Sequence, residues 1–216
     1  MFFLSLVSAA LSDACAFQEN SVGGATATEW FQSYWEPCIS CCNETRRGRQ
    51  GDGGKWLCDD IPIEEDSVVI SVGSNNEFSF ETDIINRYGV KTMRVFDHTS
   101  NPSPDKRILF TKKEMTPSRL ENIISLVQKN DRTISILKID CEGCEMSLFS
   151  PDTLRSLCIM NTQILIEIHW KGREMVSRLW KSFVDAGFGT FHKEANLIGC
   201  KGECIEYAMM RIGNCP

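Results

Sequence analysis

An α/β fold built around a mostly parallel sheet is predicted by three features of the sequence. From Val68 onward, strand-length apolar runs alternate with amphipathic stretches, the pattern of βαβ units. The run Val68-Val69-Ile70-Ser71-Val72 breaks off at Gly73-Ser74-Asn75-Asn76, as a buried parallel strand does where it meets a turn. Two later runs, residues 92–97 and 133–140, stop at acids, Asp97 and Asp140. Three strand ends therefore carry polar groups at the edge where open α/β sheets bind ligands.

The elements follow in order. Residues 1–11 form an apolar run too short to span a bilayer, and Ala14-Cys15-Ala16 follows it as a small-residue cleavage pattern, so residues 1–16 are read as a signal peptide. Against that reading, no Lys or Arg precedes Arg46. Residues 17–66 lack sustained periodicity and are expected to form a cysteine-containing cap, with Cys38, Cys41, Cys42 and Cys58 around the glycine-rich loop Gly51-Asp52-Gly53-Gly54-Lys55-Trp56. Residues 67–216 then form the main domain. After the first strand, residues 78–88 read as a helix closing at Gly89, and residues 107–111 as a short strand. Thr116-Pro117 is an N-cap followed by a first-turn proline, and Leu120, Ile123, Ile124 and Val127 give the next helix one buried face. Residues 145–157 are expected to be helical with a break at Pro151, and residues 163–169 to be a fifth strand. Met175, Val176, Leu179 and Phe183 mark a further helix closed by Gly187, and two terminal strands around 189–193 and 204–211 would add an antiparallel pair.

Composition narrows the function. A chain of 216 residues fits one ordinary domain with an extension. With 23 Lys+Arg against 29 Asp+Glu the net charge is −6, and the one basic cluster, Arg46-Arg47-Gly48-Arg49, is too small to track a phosphate backbone, so no nucleic-acid partner is expected. Eleven cysteines point to an oxidising compartment; a cut after Ala16 removes Cys15 and leaves an even ten. Together with the leader and the Asn43-Glu44-Thr45 glycosylation triplet, they predict a secreted or secretory-lumen protein without a membrane span in the mature chain.

Asp97 lies 24 positions after Gly73, near the roughly 20-residue spacing at which an acid on the second strand reaches the ribose of an adenosine cofactor. The turn lacks the second and third glycines of a dinucleotide fingerprint, which disfavours a nicotinamide-dependent oxidoreductase. S-adenosylmethionine, a sulfonium without phosphates, suits Gly73, Ser74 and Asn75 better, and Glu77, Glu81, Asp140 and Glu142 are candidate neighbours of its charged end. His98 is expected beside the adenosine. Asp52 and Lys55 are expected on a lid over the cofactor, where glycines permit close backbone approach. His169, at the end of the fifth strand, is the candidate general base. Cys141 and Cys144 interleave with Asp140, Glu142 and Glu145, and strand-like alternation would turn the thiols away from the acids. Disulfides, to one another or to Cys200, Cys204 and Cys215, are favoured over a zinc site for the N-terminal cysteines, and no metal site is expected.

Val72-Gly73-Ser74-Asn75, followed by Leu137-Lys138-Ile139-Asp140-Cys141-Glu142-Gly143-Cys144-Glu145, resembles the FkbM-like S-adenosylmethionine-dependent methyltransferases. The loop at 51–56 and the segment 71–81 are similar to the secreted group that includes methyltransferase-like protein 24. The resemblance covers roughly residues 35–212. It implies a three-layer, Rossmann-like seven-strand methyltransferase fold, mostly parallel with one antiparallel strand. It also implies Gly73, Ser74 and Asn75 at the cofactor's methionine end, Asp97 at its ribose, and Asp140 and Glu145 flanking the active cleft. The implied reaction is O-methylation of a small-molecule or glycan acceptor; a secreted binding domain that keeps the fold without turnover is the alternative. Ser71 stands where the family has Asp and Glu77 where it has a second Gly, so the detail of the turn does not carry over.

Overall fold

The computed structural model describes Cys15 and residues 26–33, 35–201 and 203–215. Helix α1 (Ala27–Ser33) precedes a two-stranded antiparallel hairpin of β1 (Glu44–Arg47) and β2 (Lys55–Cys58). Then come β3 (Val68–Val72), α2 (Ser79–Tyr88), β4 (Thr92–Phe96), β5 (Ile108–Thr111), α3 (Pro117–Lys129) and β6 (Ile134–Ile139). The chain continues through α4 (Glu145–Leu148), α5 (Pro151–Ile159), β7 (Gln163–His169), α6 (Arg173–Asp185), β8 (Phe188–Ala195) and β9 (Cys204–Arg211).

The local signals are realised where the chemistry demands it. Thr116 accepts the Arg119 N–H at the start of α3 and Ser150 the Thr153 N–H at the start of α5, each followed by proline at the first helical position. Pro151 begins α5 and separates it from α4 because proline cannot donate within a continuing helix. Gly89 takes the left-handed conformation that ends α2, with φ 67°.

Seven strands form one sheet in the order β5-β4-β3-β6-β7-β9-β8. Pairings from β5 to β7 are parallel, and β9 is antiparallel to both neighbours, so it alone runs against the rest. The chain moves outward from β3 through β4 to β5 and then returns to place β6 on β3's other side. This reversal opens a crevice at the carboxyl ends of β3 and β6.

Side-chain alternation sends strand residues into two apolar clusters. Val68, Ile70 and Val72 pack with α1, α3, α5 and α6 on one face, while Val69, Ile136 and Leu165 pack with α2 and the hairpin on the other. On the first face Trp180 stacks on Trp35 at 4.6 Å. Each fully buried side chain of this size stabilises the fold by roughly 1.5–3 kcal/mol. The hairpin was not foreseen. Its strands are four residues long, too short to show a period, and they gain their stability from docking: Leu57 and Cys58 are fully buried, and the Gln163 side chain bonds both the Cys58 N–H and its carbonyl, at 2.8 and 3.0 Å. The expected irregular cap at 17–66 is thus, through its hairpin, part of the sheet's second covering layer.

Five disulfides join Cys15–Cys38, Cys41–Cys58, Cys141–Cys144, Cys158–Cys215 and Cys200–Cys204, leaving Cys42 exposed and unpaired. The pairing of the fully buried Cys15 with Cys38 counts against a cut after Ala16, which would strand Cys38. The rest of the expected leader lies outside the described residues. Among those described, no helix is long and apolar enough to cross a membrane.

Candidate active site

A cavity of about 460 Å³ opens at the carboxyl ends of β3, β4, β6 and β7, within the size range of small-ligand sites. Of the predicted residues, Gly73, Ser74, Asn75, Glu77, Asp97, His98, Asp52, Asp140, Glu142 and His169 line it. Val72, Phe96 and Met115 add apolar wall.

On the β3–β4 side the backbone is tightly held. Gly73 has φ 82°, and a Cβ there would collide with the Asp140 carbonyl oxygen, so only glycine lets the β3 and β6 ends approach this closely. Asn75 and Asn76 follow in the left-handed region, at φ 46° and 60°, which asparagine tolerates. Asp97 anchors the turn. Its Oδ2 accepts from the Ser74 N–H and hydroxyl, the Asn75 N–H and the Ser100 hydroxyl, and its Oδ1 accepts from the Thr99 N–H and hydroxyl and the Ser100 N–H, all at 2.7–3.2 Å. Burial alone would raise its pKa, but these hydrogen bonds, led by those from Ser100 and Thr99, outweigh it and hold the carboxyl well below the usual range. Asp97 therefore shapes the turn with both oxygens engaged, which a spacing argument could not reveal.

The β6–β7 side is ionic. Asp140 pairs with Lys55 at 3.1 Å, and Lys55 also bonds Glu206. Burial lowers the Lys55 pKa, but the charges of Glu206, Asp140 and Glu167 outweigh it and keep the ammonium charged. Burial pushes Glu206 up to about 7 against the pull of Lys55, and burial with Glu206 and Asp140 alongside raises Glu167 as well. His169 is fixed from behind: Glu145, fully buried, accepts its backbone N–H at 2.9 Å and lies 3.1 Å from Nδ1. Nε2 lies 3.2 Å from Glu142 and 3.7 Å from Glu167. Burial lowers the imidazole pKa, but the Glu145 hydrogen bond with the charges of Glu145, Glu142 and Asp140 outweighs it, for a net increase.

Several expectations change. Lys55 does not sit on a lid: it begins β2, 2 % exposed, and reaches the floor from beneath, because hairpin pairing turns it inward. Glu81 is not at the cofactor surface. Its position in the first turn of α2 buries it against the sheet, where it accepts from Ser71 at 2.6 Å and pairs with Lys138 at 3.2 Å. Glu145 likewise stands behind the lining. Asp52 is at the rim of the hairpin turn, within 3.4 Å of Asn196. Glu77 turns back on Ser79, accepting its N–H at 2.8 Å. Cys141 and Cys144, expected to face away, form a disulfide that lines the cavity, since the segment after Asp140 is a turn and not a strand.

Glu167 and Glu206 were missed. Each is a lone acid inside an apolar strand, a signal present in Ile-Leu-Ile-Glu-Ile-His and Cys-Ile-Glu-Tyr-Ala, and the sheet places them directly opposite each other.

The chain is similar, at low identity, to several solved structures. Fibrillarin pre-rRNA processing protein of Methanococcus jannaschii is 12% identical, with 71% of this chain and 70% of that one covered and a TM-score of 0.46. Aeropyrum pernix fibrillarin, solved with natively bound S-adenosyl-L-methionine, is 13% identical over 69% and 68% of the two chains, TM-score 0.42. The 1,6-didemethyltoxoflavin-N1-methyltransferase of Burkholderia thailandensis is 10% identical over 69% and 72%, TM-score 0.36. No curated protein matches the chain. The side-chain-free approach at Gly73 and the cavity's mixed polar and apolar lining fit an adenosine-bearing sulfonium, and the family model for a methyltransferase domain spans residues 7–211. The chain thus belongs to the methyltransferase domain family.

Proposed function

We propose that the protein transfers a methyl group from S-adenosylmethionine to an oxygen, hydroxyl or carboxylate, of a small-molecule or glycan acceptor in the secretory route, as an FkbM-like enzyme. The observation that carries this reading is the junction, in one cavity, of the Asp97-braced turn and the His169–Glu145 pair. When bound, the cofactor supplies an electrophilic methyl group. Ser74, Asn75 and the backbone at Gly73 would hold its amino-acid end, with His98 beside the adenosine. Ribose hydroxyls would compete with the Ser74, Thr99 and Ser100 hydroxyls for Asp97, whose oxygens those side chains now occupy.

At the other end, Asp140 and Glu142 would orient the acceptor. Much of the rate then comes from holding its oxygen about 3–3.5 Å from the methyl carbon. For a hydroxyl acceptor, His169 Nε2 takes the departing proton, while Glu145 at Nδ1 fixes the tautomer and the ring. A carboxylate acceptor needs no base.

The test is calorimetry with S-adenosylhomocysteine and NAD, followed by mass spectrometry of material methylated by the purified protein. S-adenosylhomocysteine should bind and NAD should not. His169→Asn should keep that affinity and lower turnover on a hydroxyl acceptor on the order of 10²-fold. Binding without any methylated product would favour the non-catalytic alternative.

A further inference from the structure

We propose that the β6–β7 side of the cavity is a divalent-metal site, with Asp140, Glu142 and His169 as ligands and Glu167 adjoining them. Ligand atoms of the three proposed ligands already lie within 4.8 Å of one another. The imidazole is set for coordination: buried Glu145 engages Nδ1, as outer carboxylates do behind metal-bound histidines, and this leaves Nε2 facing the carboxylates of Glu142 and Glu167.

An independent observation comes from the neighbouring strand. Glu206, 8 % exposed, stands directly opposite Glu167 across the β7–β9 pair, and its Oε2 has no hydrogen-bond partner. Asp140, Glu167 and Glu206 also bring carboxylate oxygens within 4.8 Å of one another. Like charges paired across strands are destabilising, and a buried carboxylate needs a partner. Lys55 is the one lysine that pairs with these acids among the described residues. Lys55 pairs with Asp140 and Glu206 and Lys138 with Glu81, which leaves the Glu142 and Glu167 carboxyl groups gathered with Asp140 beside an oriented imidazole. A divalent cation at Nε2 would be held by these carboxyl groups.

An oxygen-rich set with a single imidazole suits Mn²⁺, whereas Ca²⁺ takes oxygen ligands alone. The site shares its cavity with the proposed acceptor and rests on that reading only for its consequence. A metal there selects acceptors with two adjacent oxygens, such as a vicinal diol or an α-hydroxy acid, and makes Nε2 a ligand, so His169 serves as base only in the metal-free protein.

Chelator-stripped full-length protein is titrated with MnCl₂ by calorimetry, with free Mn²⁺ followed in parallel by electron paramagnetic resonance. One saturable site is expected, with Ca²⁺ at least tenfold weaker. Glu142→Gln, whose side chain is 85% exposed and so does not bear on folding, should weaken Mn²⁺ at least tenfold, and His169→Asn at least as much. Absence of saturable Mn²⁺ binding, or unchanged affinity in both variants, overturns the site, and Ca²⁺ binding as tight as Mn²⁺ overturns the histidine ligand. S-adenosylhomocysteine titrated into the same sample separates the two ideas. Its binding without Mn²⁺ sinks only the metal site, while Mn²⁺ binding without it sinks the methyl-transfer reading and leaves the metal site standing.

Discussion

The two sides of the cavity floor solve opposite electrostatic problems. Beside β4, a single carboxylate, Asp97, receives seven hydrogen bonds from four residues and is fully satisfied by its own chain. Beside β7, Asp140, Glu142, Glu167 and Glu206 share one lysine and one histidine, and a buried oxygen of Glu206 stays unpaired. The first arrangement is preorganised and presents a fixed turn. The second is incomplete without a ligand, proton or cation, and it is there that chemistry is expected.

The contrast is broken most severely at Lys55. Lys55→Met keeps the stem's volume but strands Asp140 and Glu206, and it should destabilise the protein by about 3–5 kcal/mol in denaturant unfolding. A loss under about 1 kcal/mol would show that the acids are neutralised by other means.

Asp97→Asn should cost roughly 2–3 kcal/mol at pH 7, because a charged acceptor of backbone N–H groups is replaced by one that cannot accept with both ends. The pH signature identifies it. The folded pKa of Asp97 lies below its unfolded value of about 3.9, so its contribution is complete above that value and fades as the pH falls through the folded pKa. The variant should lose part of the wild type's acid-limb slope.

Glu206 has the opposite sign. Its folded pKa of about 7 lies above the unfolded value of about 4.3, so its contribution is complete below about 4.3 and is lost as the pH rises towards 7. In chelator-containing buffer, Glu206→Gln should flatten the stability profile between those values; an unaltered slope would mean that Glu206 is ionised throughout. The smallest effect belongs to Ser100→Ala, which removes one of four donors to Asp97 Oδ2 and should cost about 1 kcal/mol with little change in S-adenosylhomocysteine affinity.

How much could be read in advance divides along the same line. The turn at Gly73–Asn75, Asp97 at the end of β4 and Asp140 after β6 were legible because strand ends are local features, and a parallel sheet brings such ends together whatever the side chains do. Glu167 and Glu206 stand 39 positions apart in the chain and become a pair only through the antiparallel register of β7 and β9. Lys55 looked like part of a glycine-rich loop because a four-residue strand has no period to display.

The sequence by itself determined the alternation of strands and helices, the caps at Thr116 and Ser150, and the polar strand ends, since each depends on the hydrophobic period or on hydrogen bonds between near neighbours. Only the tertiary structure decided which charges meet, that Asp97 spends its oxygens on its own turn, and that Lys55 lies beneath Asp140. Electrostatic partnership depends on distance and burial in space, and strand register and layer packing set both.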